Sequence, residues 1–226
     1  MASPESEKAR VSTTEYSRDP EQGVISTTEG RAHRSGIADP GPLGLFSFAS
    51  TTFIVSLYTV QARGITHPNV IVGMGLFTGG LTQILVAMWQ FPRGNVFGAT
   101  VFASYGAFWL SYATIYIPSS GILAAYTDPT ELSNALGIYL LYPMILSLFF
   151  LLNVIRSNLA YSMILTAASL SFGCLAAAEL SQSAEVTKAG GVFGIIAALV
   201  AYYVGVSEML AAEERPIVAL PLGVWR

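Results

Sequence analysis

Six long apolar stretches divide the chain, at about 43–60, 70–91, 96–117, 134–155, 159–180 and 190–210. Each runs for roughly 18–22 residues, and about 20 residues of helix cross a ~30 Å hydrocarbon core. Helix is the state that pairs every backbone group within one segment, which lipid demands. Membrane barrel strands are shorter and alternate polar with apolar positions, a pattern these stretches lack. The pattern therefore predicts an all-α, polytopic membrane protein: a six-transmembrane-helix bundle.

Composition supports that class. Of 226 residues, 53% are hydrophobic and 11% charged, against about 25% charged in a soluble domain. The mean hydropathy is +0.56. A single cysteine, Cys174, excludes a disulfide scaffold. A net charge of −3 leaves no basic footprint for nucleic acid. Of 25 charged residues, 12 lie in residues 1–42 and four in 213–226. The domain expectation follows: a disordered cytoplasmic N-terminal tail (1–38), a six-helix transmembrane domain (39–212) and a short cytoplasmic C-terminal tail (213–226). The tail lacks the apolar core of a secretory signal, so the first span is expected to act as the insertion signal.

Basic residues set the orientation. With the N-terminus in the cytoplasm, inside segments hold Lys8, Arg10, Arg18, Arg31, Arg34, Arg93, Arg156, Arg215 and Arg226, and outside loops hold Arg63 and Lys188. Both termini are then cytoplasmic, in a multi-pass protein of the lipid bilayer.

Within the spans, small residues recur four apart: Gly75/Gly79, Gly94/Gly98 and Gly190/Gly194. Such pairs let helices approach closely, within one bundle or between subunits. Hydroxyls are dense in the first, third and fifth spans, with Thr51, Thr52 and Ser104 among them, and suggest a polar seam. Gln83, an amide at mid-span, needs a partner or water, and either lines a solute path or bridges helices. Glu208 is a candidate proton or mouth group on the cytoplasmic side. No Lys or Arg lies mid-span, which disfavours multivalent anions and favours small solutes. HExxH, CxxC, GxSxG and P-loop patterns are all missing, as is any His, Asp or Glu cluster within a span. No enzyme activity, metal or cofactor is expected.

The approach to the first span reads Asp39-Pro40-Gly41-Pro42-Leu43-Gly44-Leu45-Phe46-Ser47-Phe48. It resembles the Asn-Pro-Ala-Pro-Leu-Gly-Leu signature of the acetate uptake transporter family, which includes bacterial succinate–acetate permeases and fungal acetate and ammonia-export proteins. Gly94-Asn95-Val96-Phe97-Gly98-Ala99-Thr100 through Ser104-Tyr105-Gly106, and Gly190-Gly191 through Glu208 to Leu220-Pro221-Leu222-Gly223, carry the resemblance over about 38–224. The long polar tail looks like the fungal branch. The resemblance implies a homo-hexamer in the plasma membrane. Each protomer would pass acetate and related short monocarboxylates, with possible proton linkage. Ammonium export and a non-transporting sensor of weak acids are the alternatives.

Pro40 and Pro42 fix the chain just ahead of the first helix. Amides at that helix start would suit a carboxylate. With the resemblance, Asp39, Pro40, Pro42, Leu43 and Gly44 become candidate binding residues at the mouth, with Thr51, Thr52, Gln83 and Ser104 along the path. The family's apolar constriction, carried across by motif, falls on Phe48 and Tyr105. Spacing from Gly137 and Tyr139 to Phe172 places its third member, a Leu in the family, at Ala168. Other departures are Asp39 for Asn, Thr78 for an aromatic, and Gln90 for an acid. A negative Asp39 should repel an anion unless it is protonated or bonded to a helix-end amide.

Overall fold

The computed structural model describes residues 36–224. The expected tail therefore lies almost wholly outside the described residues. Six long helices follow one another: α1 (Gly41–Thr59), α2 (Ile71–Gln90), α3 (Val96–Ile115), α4 (Pro129–Val154), α5 (Leu159–Ser181) and α6 (Ala184–Ala211). Five are long and apolar enough to cross a membrane, and α3 is not among them. The reason is visible in its sequence, where Thr100, Ser104, Tyr105, Ser111, Tyr112 and Thr114 dilute the apolar residues.

Four of the six helix starts have a local cause in a cap or a proline. Asn95 caps α3 by accepting from Gly98 N at 2.9 Å, and Asp128 caps α4 by accepting from Thr130 N at 2.9 Å. Asn158 caps α5 by accepting from Tyr161 N at 3.2 Å. Pro42 and Pro129 sit in first turns, where a missing N–H costs nothing.

The helices form a ring in the order α4, α5, α6, α1, α2, α3. Close packing at α1/α2, α2/α3, α5/α6 and α6/α1 is built on glycine. A Cβ at Gly75 would stand 3.0 Å from the Ala113 Cβ, and one at Gly190 would stand 2.9 Å from Leu175. Gly191 and Gly194 face α1 at Ser56 and Val60. These glycines thus pack helices within the chain. Gly94 and Gly98 differ: Gly94 makes a left-handed turn (φ 75°) with open space around it, and Gly98 lies under the Asn95 cap.

The ring closes differently between α3 and α4, where long side chains rather than backbones meet. Tyr105 Oη and Ser147 Oγ are 2.7 Å apart, and Ser147 donates to the Pro143 carbonyl at 2.7 Å, so Tyr105 is the donor. The Tyr105 and Phe150 rings meet edge-on at 6.0 Å.

In α2 the residues Gly75–Thr82 wind as a π-helix. Thr82 donates to the Phe77 carbonyl five residues back at 2.9 Å. Such segments interrupt the regular ladder and concentrate at functional positions.

The C-terminal stretch is no loose tail over its described part. Leu159 N donates to Gly223 O (3.0 Å) and Ala160 N to Leu222 O (3.1 Å). Tyr203 and Ser207 hydroxyls donate to Pro221 O (2.8 Å) and Leu220 O (2.9 Å). Residues 220–223 strap the end of α6 to the start of α5.

Candidate functional site

Three cavities run through the ring. The largest, about 340 Å³, opens at the end that carries the start of α1 and the end of α6. A central chamber of about 40 Å³ lies beyond it, room for little more than a water or two. An outer cavity of about 140 Å³ follows toward the far end. The first two share Phe48 as a wall, and the last two share Val55, Thr59, Trp109, Phe172 and Leu175.

The lining obeys a simple rule. On α1, Leu45, Phe48, Thr52, Val55 and Thr59 line successive cavities; on α5, Tyr161, Leu165, Ala168, Phe172, Leu175 and Glu179 do the same. Steps of three and four keep one helix face turned inward. Gly98, Val101, Tyr105, Phe108 and Tyr112 repeat the pattern on α3. Phe48 and Tyr105 are 4% and 3% exposed, with ring centroids 5.4 Å apart. Tyr105 stacks on Phe172 at 6.5 Å on the other side.

Leu165, 3% exposed, lines the large cavity with Phe48 and Tyr105. Ala168 lines the central chamber one turn further along the same face. The residue count used for the fifth span thus lands on the inward face of α5, one turn from Leu165. The signal that locates Leu165 is its place between Tyr161 and Ala168 in the inward-facing series.

The mouth also differs from expectation. Asp39 and Gly41 line the large cavity, and Pro40, Pro42, Leu43 and Gly44 do not; Leu43 is 54% exposed. Gly44 instead makes room for the Phe102 ring, 2.5 Å from where its Cβ would stand. Asp39 Oδ1 accepts from Gly41 N at 2.8 Å, so the helix-start amide already holds the chain's own carboxylate. Asp39 Oδ2 pairs with Arg93 at 3.0 Å, and Arg93 donates to Ile37 O at 2.7 Å. Gln90, 2% exposed, reaches Asp39 Oδ1 at 3.5 Å and accepts from Asn95 at 3.1 Å. Glu208, at the same mouth, accepts the hydroxyl of Tyr161. The sequence reading holds Arg93 only as a charge, Asn95 only as part of a motif and Gln90 only as a departure from the family pattern, and Tyr161 not at all, because Asp39, Ile37 and Glu208, which they meet, lie far along the chain.

The hydroxyl seam largely dissolves. Ser47, Thr51, Thr59, Thr100, Thr114 and Ser169 each donate to the carbonyl four residues back on their own helix. Thr51 is buried against Gly79 rather than the path. Ser104 lines none of the three cavities. Two groups remain. Gln83, fully buried, lines the large cavity, and its Nε2 donates to the π-helical Gly79 carbonyl at 2.9 Å while Oε1 has no partner. Thr52 lines the central chamber, and its hydroxyl also has no partner. Among the described residues, no group of three or more His, Cys, Asp or Glu is placed to hold a metal.

The sequence matches the GPR1/FUN34/yaaH family over residues 23–223. It is 40% identical over 185 residues to accumulation of dyads protein 2 of Saccharomyces cerevisiae, covering 81% of this chain and 65% of that one. It is 38% identical over 188 residues to ammonia transport outward protein 2 of the same yeast (83% and 67% covered). It is 34% identical over 192 residues to acetate permease A of Emericella nidulans (80% and 63% covered). The matched stretch thus spans about two thirds of those relatives, from 63 to 67% of their length. Among solved structures, the bacterial acetate channel SatP superposes with a TM-score of 0.73 at 29% identity, over 83% of this chain and 99% of that one. The chain belongs to the GPR1/FUN34/yaaH family.

Proposed function

We propose that this chain is a membrane path for acetate and related short monocarboxylates. The observation that carries the reading is the succession of three cavities with shared walls, the first two meeting at Phe48, which packs against Tyr105. The likeness to an acetate channel and to an acetate permease supports the solute. In this reading all six helices span the membrane. Both termini are cytoplasmic, residues 1–38 form a cytoplasmic tail, and the large cavity is the cytoplasmic vestibule. Phe48, Tyr105 and Leu165 form the constriction, and Ala168 sets the size of the chamber behind it. Six protomers assemble in the plasma membrane, each with its own path.

The test is labelled acetate flux into proteoliposomes holding the purified full chain, against protein-free liposomes. Flux that saturates, and that rises in Phe48→Ala, supports the reading. No protein-dependent flux for any short monocarboxylate refutes it. Ammonium export is the second reading, favoured by the mouth's carboxylates, Asp39 and Glu208, and by the relative named for outward ammonia transport. Methylammonium flux without acetate flux would select it.

A further inference from the structure

We propose that Ser147 of α4 is a positioning residue, which holds the Tyr105 ring in place by its hydroxyl end and so sets how often the path opens. This rests on the reading of the chain as a monocarboxylate path. Ser147 itself lines none of the three cavities, so whatever it does to a solute it does through Tyr105.

The place of this serine in α4 argues first. The buried residues of the helix are Gly137, Leu140, Pro143, Ser147, Phe150 and Val154, in steps of three and four along one face. Ser147, with no exposed surface, is the one polar side chain in that stripe. A hydroxyl in a helix is commonly spent on the carbonyl four residues back, and Ser147 donates to Pro143 O at 2.7 Å. A hydroxyl has one proton and two lone pairs, so what Ser147 has left to offer is an acceptor. Tyr105 on α3 takes it, at 2.7 Å.

What the bond restrains argues second. The Tyr105 ring is tied to α3 through its Cβ and to α4 through its oxygen. A swing about the Cα–Cβ bond carries Oη away from Ser147, so the ring leaves its place only by breaking that hydrogen bond. Phe48, 5.4 Å away, has no polar end to hold it. The central chamber, about 40 Å³, admits little more than a water or two, so an organic acid crosses it only when side chains give way. Tyr105 packs against both Phe48 and Phe172, which wall that chamber, and its departure frees both. The helices themselves need not part. A second phenol, Tyr139 of α4, bonds Ser111 of α3 and keeps the seam tied when the first bond is cut.

Cutting the bond from either end, and from both, tests this. Ser147→Ala, Tyr105→Phe and the double variant are made in the full chain, and labelled acetate uptake into proteoliposomes is measured for each. Ser147→Ala strands a buried donor, and the phenol must turn into the large cavity, which it already lines, to find water. Tyr105→Phe removes the donor and leaves the ring packed. Ser147→Ala should therefore raise the acetate rate about tenfold, and Tyr105→Phe only about two- to threefold. The double variant has no stranded donor, so it should fall back to within about twofold of Tyr105→Phe. A role confined to α4, through the bond to Pro143 O, would instead make the double variant depart from native further than either single one. That result, or Ser147→Ala at or below the native rate, overturns the inference and leaves the acetate path standing. Absence of protein-dependent uptake by the native chain overturns both. If Ser147→Ala alone fails to fold, the double variant against Tyr105→Phe still decides: rates that differ by more than about twofold would show Ser147 acting other than through Tyr105, and equal rates support the inference.

Discussion

Gly79 is where the close approach of α2 to α3 and α1 becomes a number. A Cβ on Gly79 would stand 2.7 Å from Trp109 Cγ and 2.8 Å from Thr51 Cγ2. Neither neighbour gives easily. Trp109 is 4% exposed and held between Phe108 and Tyr112, with ring centroids 5.4 and 6.1 Å away; Thr51 is fully buried and bonded to Ser47 O. Forcing a methyl into such a place costs about 1–3 kcal/mol. Gly73, on the same helix, has nothing within 4 Å of its own Cβ position. Gly→Ala relieves the same backbone entropy at both sites, so comparing the two variants isolates the packing cost. At about 2–4 °C per kcal/mol for a chain of this size, Gly79→Ala should melt about 2–12 °C below Gly73→Ala. Thermal denaturation of both proteins in one detergent measures it. Acetate flux should fall in Gly79→Ala alone, because the Gly79 carbonyl anchors Gln83. If Gly79→Ala melts level with or above Gly73→Ala, the helices are not packed as described.

The other outcomes follow from single contacts. Leu165→Ala should widen the constriction, so that unlabelled lactate competes with labelled acetate several-fold better than in the native chain; unchanged competition would remove Leu165 from the constriction. Ala168→Leu puts three further carbons into a chamber of about 40 Å³ and should slow acetate and lactate alike, where a selective effect on lactate would place Ala168 at the constriction instead. Tyr105→Phe loses one hydrogen bond, about 1 kcal/mol, while Ser147 keeps its bond to Pro143 O; a melting drop of a few degrees with faster flux is expected, and slower flux would contradict it. Ending the chain after Ala219 removes the carbonyls that hold Leu159 N and Ala160 N, so hydrogen exchange at those amides should speed up at least tenfold, and unchanged protection would show the strap to be idle. Asp39→Asn with Gln90→Glu should melt closer to the native chain than either single variant, since contacting sites couple.

The helices were legible because lipid leaves a chain few options. Apolar runs of spanning length, bounded by Pro, Gly and Asn, located all six to within a few residues, most loosely at the starts of α4 and α6, where Pro129 and Ala184 open turns ahead of the apolar run. The path was harder. Thr51 and Ser104 look like pore residues by type, yet a hydroxyl in a helix has its own carbonyl within reach and needs no pore. What faces the path is mostly apolar and aromatic, in steps of three and four, and in a membrane that pattern does not by itself separate an inward face from a lipid face. Phe48 and Tyr105, to which the motifs point, line the large cavity, and Leu165 beside them lies in a span without a motif to mark it. The π-helical turn that orients Gln83 has no marker beyond a glycine-rich stretch, which equally suits close packing.

Asp39 joins these levels in one side chain. By the family resemblance, an Asn stands at its position and an acid at that of Gln90; here the two are exchanged across a single 3.5 Å contact. This pair of positions therefore keeps one carboxylate while moving it from α2 to the approach of α1. Its surroundings favour the move. Gln90 is 2% exposed, where an ionised group would be costly to bury, whereas the Asp39 side chain is 47% exposed. At the start of α1 the carboxylate also gains the Gly41 amide and the positive end of a helix, worth about 0.3–1 kcal/mol, and Arg93 from the loop after α2. The exchange that seemed to place a repulsive charge before an anion thus places one matched by Arg93 and by the helix-start amide, on the wall of the large cavity.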